Sequence, residues 1–205
     1  SAYGNKGVGI RAGSDSGVSD CTVDDSGQHG IEAGDRSMVK TCVASTSVSN
    51  GIDLASASIA EGCTAVSNRL DGIHADQNAS IRGCVAAHNR SDGIEAGEGS
   101  IIESCAALYS LTNGIRARSS SILRGNLCRG NSEDGINMFG TGSRVENNTA
   151  TDNQRAIDIG PSSNLDVRNS ASGNTLVDFT YNTNNVMGPF TNSAAVACPW
   201  ANIEF

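Results

Sequence analysis

Four residues with ionisable side chains recur at a constant interval in the middle of the sequence. They are Asp53, His74, Glu95 and Arg116, each 21 residues after the one before. If 21 residues make one coil, neighbouring side chains lie about 4.8 Å apart and the two carboxylates about 9.6 Å apart. That separation is near the upper limit of the roughly 6.5–9.5 Å used by inverting glycosidases, and an arginine beside them can bind a sugar carboxylate. The four residues are therefore candidates for catalysis on a carbohydrate.

A second interpretation treats the same column as ordinary polar surface. The outward positions of a repeat must be polar, and mixing both charge signs avoids like-charge stacking. The constant interval also leaves no long insertion that would wall a cleft, whereas catalysis gains from excluded water and fixed orientation. We therefore favour a non-catalytic role for this face and keep catalysis as the alternative.

In four successive coils, an Asp or Asn residue that could supply oxygen ligands directly precedes a Gly-Ile pair. These positions are Asp71, Asp92, Asn113 and Asp134. Calcium prefers carboxylate and carbonyl oxygens, so one interpretation is a Ca²⁺ ion held between coils. The other is turn chemistry, because Asp and Asn are common turn residues. No other cofactor is expected.

A repeated Gly-Ile pair marks the elements that must position these side chains. The pairs begin at Gly9, Gly30, Gly51, Gly72, Gly93, Gly114 and Gly135, and Ala156-Ile157 continues the series. Short alternating stretches such as Ile94-Glu95-Ala96 are broken by Gly, Asn, Ser and Asp, which is typical of strands and turns. In such a strand the Ile and the Ala point inward and the residue between them points outward.

Two more inward strands follow in each coil, which predicts a three-sided prism. The second strand carries Val18, Val39, Ala60, Ile81, Ile102 and Leu123, and the third carries Val23, Ala44, Ala65, Ala86, Ala107 and Cys128. Like residues then stack into ladders along the axis. The predicted fold is all-β, a parallel β-helix of about eight to nine coils of 21 residues that occupies residues 1–180, with a one-residue slip near Phe139-Gly140.

A cysteine column keeps the same interval and then passes into asparagine. Its members are Cys21, Cys42, Cys63, Cys84, Cys105 and Asn126. Absence of CxxC pairs argues against zinc, so no metal is expected there. Adjacent coils bring Cα atoms into disulfide range, but seven cysteines cannot all pair and in-register Cβ vectors run parallel. A buried ladder of thiols that act as small hydrophobes is favoured, with one or two bridges between coils as the alternative.

The overall charge excludes two classes of partner. The formal net charge of −8 repels nucleic acid and anionic lipid surfaces. No apolar run approaches the roughly 18 residues of a membrane span, and the first ten residues lack the regions of a signal peptide. His29 and His88 fall in turns without a partner in register, so both are expected to be solvated surface residues.

Three segments resemble bacterial right-handed parallel β-helix repeat proteins of the pectate-lyase-like superfamily. They are Asp71-Gly72-Ile73, residues 100–107 and residues 169–174, and the closing stretch Val186–Pro189 with residues 199–202 is similar to the C-terminal end of that group. The resemblance implies a right-handed β-helix on a secreted or cell-surface bacterial protein. It implies little about function, because the superfamily includes lyases, hydrolases, epimerases, adhesins and tailspikes.

The two ends of the predicted rod differ. Aromatic residues gather in the closing segment, 181–205, which we expect to pack on the last coil as a cap. The first coil begins without such a cap, so two alternatives are open: a preceding cap has been removed, or the open edge pairs with another chain to give a homo-oligomer or an end-to-end fibre. The function expected is a non-catalytic extracellular structural, adhesive or filament-forming unit; the alternative is a polysaccharide-active enzyme or a carbohydrate-binding module.

Overall fold

Each coil of the repeat forms three short strands, one for every side of a prism. The computed structural model describes residues 1–192 and 200–204. In these residues the chain is a parallel β-solenoid of about nine turns, built from three sheets and without helices, so the fold prediction is confirmed. Within the described residues, no helix has the length and apolar character that crossing a bilayer requires.

The strands alternate regularly among the three sheets. Sheet A contains, in spatial order, β1 (Ala2–Tyr3), β4 (Thr22–Asp24), β7 (Val43–Ser45), β10 (Thr64–Val66), β13 (Val85–Ala87), β16 (Ala106–Leu108), β19 (Leu127–Arg129), β22 (Thr149–Thr151), β25 (Ser170–Ser172), β29 (Asn202–Glu204) and β28 (Phe190–Thr191). Sheet B contains β2 (Ile10–Ala12), β5 (Ile31–Ala33), β8 (Ile52–Leu54), β11 (Ile73–Ala75), β14 (Ile94–Ala96), β17 (Ile115–Ala117), β20 (Asp134–Met138), β23 (Arg155–Ile159) and β26 (Val177–Tyr181). Sheet C contains β3 (Gly17–Ser19), β6 (Met38–Lys40), β9 (Ile59–Glu61), β12 (Ser80–Arg82), β15 (Ile101–Glu103), β18 (Ile122–Arg124), β21 (Arg144–Glu146), β24 (Leu165–Val167) and β27 (Val186–Met187).

The core is a set of stacked aliphatic columns in the centre of the prism. In sheet B, Ile73 pairs with Ile94 and Ala75 with Ala96, and all four side chains are buried. The predicted slip is present, because Ile122 pairs with Arg144, one residue later than the repeat requires. The turn between β20 and β21 therefore holds the extra residue.

Close stacking explains why glycine precedes the isoleucine in coil after coil. A Cβ atom added to any glycine of this column would lie 2.6–2.8 Å from a carbonyl oxygen of the next coil. Real Cβ atoms do not come that close to a backbone oxygen. The column consists of Gly9, Gly30, Gly51, Gly72, Gly93, Gly114 and Gly135.

Cysteine and asparagine make equivalent hydrogen bonds in the ladder column. The Cys63 thiol donates to a carbonyl 24 residues earlier, at 3.3 Å, and the Asn126 amide does the same at 2.9 Å. Each side chain also accepts the backbone N–H of the preceding rung, as Cys84 Sγ does from Cys63 and Asn126 Oδ1 does from Cys105. The ladder cysteines from Cys42 onward are buried and Cys21 is half-buried; all are free thiols, and Cys198 lies outside the described residues.

The outward column of sheet C alternates strictly in charge from one coil to the next. Its members are Lys40, Glu61, Arg82, Glu103, Arg124 and Glu146. Arg124 lies 3.6 Å from Glu103 and 3.0 Å from Glu146, and Arg82 lies 3.3 Å from Glu103. An exposed pair such as Lys40–Glu61 is worth about 0–1 kcal/mol, whereas Glu146 at the end of the column is buried, with 8% of its side chain exposed.

One acidic residue occupies the core column of sheet C. Asp166 follows Val145 in register and is fully buried. Its carboxylate accepts hydrogen bonds from the side-chain amides of Asn169 and Asn202, the latter at 3.0 Å. Burial raises the pKa of Asp166 to about 7, although both amides favour its ionised form.

The closing segment extends two of the sheets. Strand β27 pairs with β24, and β29 pairs with both β25 and β28. Phe190 packs against Phe179 with ring centroids 5.1 Å apart, and the Arg168 guanidinium lies 4.6 Å from the centre of the Trp200 ring. The predicted division into coils at residues 1–180 and a cap at residues 181–205 stays a prediction, and residues 193–199 and 205 of that cap lie outside the described residues.

Candidate functional site

Four consecutive strands of sheet B carry the residues that sequence spacing singled out. Asp53, His74, Glu95 and Arg116 are the central residues of β8, β11, β14 and β17, and each is directly in register with the next. Their strand neighbours on both sides point into the core, so these side chains must point outward. All are partly buried, and Glu95 is the most enclosed, with 19% of its side chain exposed.

Asp53 is the most heavily contacted of the four. Its Oδ1 atom lies 2.9 Å from His74 Nδ1 and accepts a hydrogen bond of 2.8 Å from the Asn50 side chain. Burial alone would raise the pKa of Asp53, but the hydrogen bonds from His74 and Asn50 outweigh it and hold that pKa below its ordinary value. The same hydrogen bond raises the pKa of His74, despite an opposing contribution from burial. The pair therefore favours an imidazolium beside a carboxylate.

Glu95 joins this pair to a cationic end of the face. Its Oε1 atom lies 3.8 Å from Arg116 Nη1 and 3.7 Å from Arg118 Nη2. The Arg116 guanidinium also lies 5.7 Å from the centre of the exposed Phe139 ring. The cations are thus held near the face without being locked in short hydrogen bonds.

An open cleft of about 460 Å³ lies beside His74 and Glu95. Its lining includes His74, Asp76, Glu95, Glu98, Arg118 and Phe139. The sequence led us to expect a face without walls, because no coil carries a long insertion. The side chains of the turns that follow the sheet B strands instead form one wall.

The carboxylates expected to hold calcium divide between two places. Asp71 and Asp92 lie together, and their carboxylate oxygens and one of Glu95, which was not among the expected ligands, are within 4.8 Å of one another. Asp134 instead forms an ion pair with Arg155. Burial raises the pKa of Asp71, and hydrogen bonds from Ser91 and from the Asp92 backbone oppose it.

Several donors already occupy the Asp92 carboxylate. Its Oδ1 atom accepts the backbone and side-chain N–H groups of Asn113, both at 2.9 Å, and the Thr112 hydroxyl. Turn chemistry accounts for these bonds, and calcium binding stays a prediction.

Sequence spacing missed His29. It was expected to be solvated, but its side chain is only 26% exposed and its Nδ1 atom lies 3.9 Å from Asp53 Oδ1. The contact is diagonal, between residues 24 positions apart, so a search at intervals of 21 does not find it. His88 does lie away from this site, stacked on Tyr109 with ring centroids 5.2 Å apart.

Comparison with known proteins identifies the fold. No protein-family model and no curated protein matches the sequence. A periplasmic alginate epimerase is 17% identical, with a TM-score of 0.60 over 88% of this chain and 48% of that one. The A-module of a mannuronan C-5 epimerase from Azotobacter vinelandii is 13% identical, with a TM-score of 0.61 over 91% and 57%. A pectate lyase is 12% identical, with a TM-score of 0.54 over 83% and 58%.

These matches show the fold alone. The chain has the right-handed parallel β-helix of pectate-lyase-like proteins, as the resemblance implied. It spans about half the length of the solved structures that it matches.

Proposed function

We propose that the outer face of sheet B binds a polysaccharide and that His74 transfers a proton to or from the bound sugar. The hydrogen bond of 2.9 Å between His74 Nδ1 and Asp53 Oδ1 carries this proposal. It holds the imidazole in one orientation and leaves Nε2 as the nitrogen available to a ligand. Because His74 also lines the cleft, this nitrogen belongs to a side chain that a bound sugar would contact.

A polymer suits this face better than a small molecule does. The cleft is open and polar, and successive coils present a new functional side chain about every 4.8 Å along the axis. The exposed ring of Phe139 offers an apolar surface beside Arg118 at one end of the cleft. The solved structures of similar fold include an alginate epimerase, a mannuronan epimerase and a pectate lyase, and this supports a carbohydrate ligand.

The roles differ from those of a two-carboxylate glycosidase. Asp53 accepts bonds from His74 and Asn50, so it orients the imidazole and is not a free base. His74 has a raised pKa and is suited to act as a general acid. Glu95 supplies a carboxylate on the adjacent coil, and Arg116 and Arg118 are the cations available to a sugar carboxylate or hydroxyl.

Replacing His74 by alanine is expected to abolish activity on polysaccharides. The chain would be incubated with a panel of neutral and uronate polymers, and reducing ends, unsaturated ends and epimerised residues would be measured. Loss of general acid catalysis should reduce the rate by about 10²–10⁴-fold. With wild-type protein the rate should fall as pH rises through the raised pKa of His74, because the imidazolium is lost.

His88→Ala is the matched control, since it removes an imidazole that stacks on Tyr109 instead. Equal loss in both variants, or no activity on any polymer, would contradict the catalytic role. Binding without turnover in a polysaccharide pull-down would leave only the carbohydrate-binding half of the proposal.

A second candidate function is a non-catalytic structural, adhesive or filament-forming rod. It is favoured by the uniformity of the coils, since from β2 to β22 every described coil has the same three strands and only one extra residue. We expect such a rod to be secreted or held at the cell surface. Electron microscopy across salt and pH would show end-to-end fibres or ordered oligomers; isolated particles under all conditions would count against it.

A further inference from the structure

Three arginines converge on one carboxylate at the outer face of sheet C. Glu146 Oε2 lies 2.6 Å from Arg144 Nη2 and 3.6 Å from Arg168 Nη2. The other oxygen, Glu146 Oε1, lies 3.0 Å from Arg124 Nε. The glutamate is buried, with 8% of its side chain exposed, whereas the three arginine side chains are 38–48% exposed. These four residues form an arginine cluster whose cations face solvent.

The arginine cluster has more positive charge than the neighbouring carboxylates neutralise. Arg124 also lies 3.6 Å from Glu103, but that carboxylate is shared with Arg82 at 3.3 Å. Within residues 1–192 and 200–204 these arginines have no other ion-pair partner, so four cations meet two carboxylates. The local excess is two positive charges, in a chain whose formal net charge is −8. Each guanidinium has several N–H donors, so donors remain available to an anionic ligand.

An exposed aromatic ring borders the arginine cluster. The Arg168 guanidinium lies 4.6 Å from the centre of the Trp200 ring, close enough for a cation–π contact, yet 55% of Trp200 is exposed. Tryptophan is on average a highly buried residue, because its ring is large and mostly apolar. Tryptophan and arginine are also the residue types enriched where binding energy is concentrated. The pair therefore places a flat apolar surface directly beside a cation.

We propose that the arginine cluster and Trp200 form a binding site for an anionic sugar of an acidic polysaccharide. The planar fork of an arginine matches a carboxylate or a sulfate through two parallel hydrogen bonds. The C–H groups on one face of a pyranose ring pack against an indole, and a uronate or a sulfated sugar presents both features on one ring. An acidic peptide supplies the charge without a rigid apolar face, so the exposed indole favours the sugar.

This site goes beyond the proposed function, because it lies on another side of the prism and binds without proton transfer. The arginine cluster is built on sheet C and the turn after β24, whereas His74 lies on sheet B. The hydrogen bond from Arg144 holds the pKa of Glu146 below its ordinary value, so this carboxylate stays ionised near neutral pH and is not a proton donor there. The site anchors a charged polymer to the rod whether or not sheet B acts on that polymer.

The fluorescence of Trp200 reports on this site alone, because it is the only tryptophan of the chain. Titration with a galacturonate hexasaccharide should change its emission in a saturable manner, and added salt should weaken the binding. We expect Arg144→Gln and Arg168→Gln each to lower the affinity by about tenfold, as the loss of one hydrogen bond between charged groups predicts. Arg129→Gln is the matched control, since it removes the same charge from sheet A, where Arg129 pairs with Asp152.

Two further variants separate the contributions of the indole and of sheet B. In calorimetric titrations Trp200→Ala should lose affinity for the hexasaccharide, and Trp200→Phe should retain part of it because an aromatic face is kept. His74→Ala should leave the Trp200 titration unchanged, so this proposal and the proposed function fail separately. Circular dichroism of each variant shows whether the solenoid is intact.

Other probes identify the class of ligand. A sulfated hexasaccharide in place of the uronate shows which anionic group binds more tightly, and a response of Trp200 to either one supports the proposal. A neutral glucose hexasaccharide should give no response, and a glutamate hexapeptide should bind more weakly than the anionic sugars. Equal affinity for the peptide would assign the site to an acidic protein segment and overturn the proposal. It would also be overturned if neither anionic sugar changed the emission, or if Arg144→Gln and Arg168→Gln bound as tightly as the wild type.

Discussion

Replacing Gly93 by alanine is expected to destabilise the solenoid by about 3 kcal/mol, the upper end of the usual range for an overpacked site. The added Cβ would lie 2.6 Å from the carbonyl oxygen of Gly114 and 3.1 Å from the Cβ of Ala107. Both are held by stacked strands, so the coils must separate locally to admit the methyl group. Urea unfolding followed by circular dichroism measures the change in unfolding free energy.

Gly17→Ala provides the matched control for that substitution. Gly17 also lies in a strand, β3, but a Cβ there meets nothing within 4 Å. Its replacement should be neutral or stabilise by up to about 1 kcal/mol, because alanine restricts the unfolded chain. If the two variants were equally stable, close stacking would not be the reason for the repeated glycine.

The second large effect concerns Asp166, the carboxyl group in the core of sheet C. Its folded-state pKa of about 7 is well above the reference value of 3.8 for the unfolded chain. Between these values the folded state keeps a proton that the unfolded state has released, so stability falls as pH rises, by about 1.4 kcal/mol per pH unit. Below pH 3.8 the residue has no effect of this kind, and above pH 7 the loss is complete.

Asp166→Leu should therefore stabilise the protein at pH 8, by about 3 kcal/mol more than at pH 4.5. Both partner amides keep a backbone acceptor, Asn169 at Val145 and Asn202 at residue 166. Urea midpoints of wild type and variant at the two pH values give the difference. Asp20→Asn, which removes an exposed carboxyl group, is the control. Parallel pH dependence of wild type and Asp166→Leu would show that Asp166 ionises freely in the fold.

Sequence periodicity was sufficient for the columns of the fold. Equal spacing placed Ile73 on Ile94 and Asp53 on His74 because one coil is one repeat, and in-register stacking follows from that alone. Periodicity did not reveal Asp166, which stands in a column of Val, Ala, Ile and Leu as an acidic exception. The buried carboxyl group of Asp166 is satisfied in part by a hydrogen bond from the Asn202 side chain. Asn202 lies 36 residues further along the chain, outside the repeat.

The candidate site was found by the same spacing, but only in part. Contacts along a column join residues 21 apart, whereas the contact of His29 with Asp53 joins residues 24 apart and crosses between columns. Arg118 and Asn50 were missed for a related reason, since their approach to Glu95 and Asp53 depends on side-chain direction. Interval counting identifies which side chains share a column, and three-dimensional geometry is needed for those that meet diagonally.

The alternating charges of sheet C bear on how such a uniform chain finds its correct register during folding. Because the aliphatic columns are nearly identical from coil to coil, a strand that skipped one coil would bury almost the same apolar surface. On sheet C, however, that skip would place Lys40 beside Arg82 or Glu61 beside Glu103, and like charges in directly paired positions are unfavourable. A mispairing must skip an even number of neighbours to avoid that repulsion, and it must then loop out at least two whole coils. The exposed ion pairs of this column therefore add little to the stability of the native state. Their alternation instead raises the free energy of the nearest misfolded register, in which like charges would be paired.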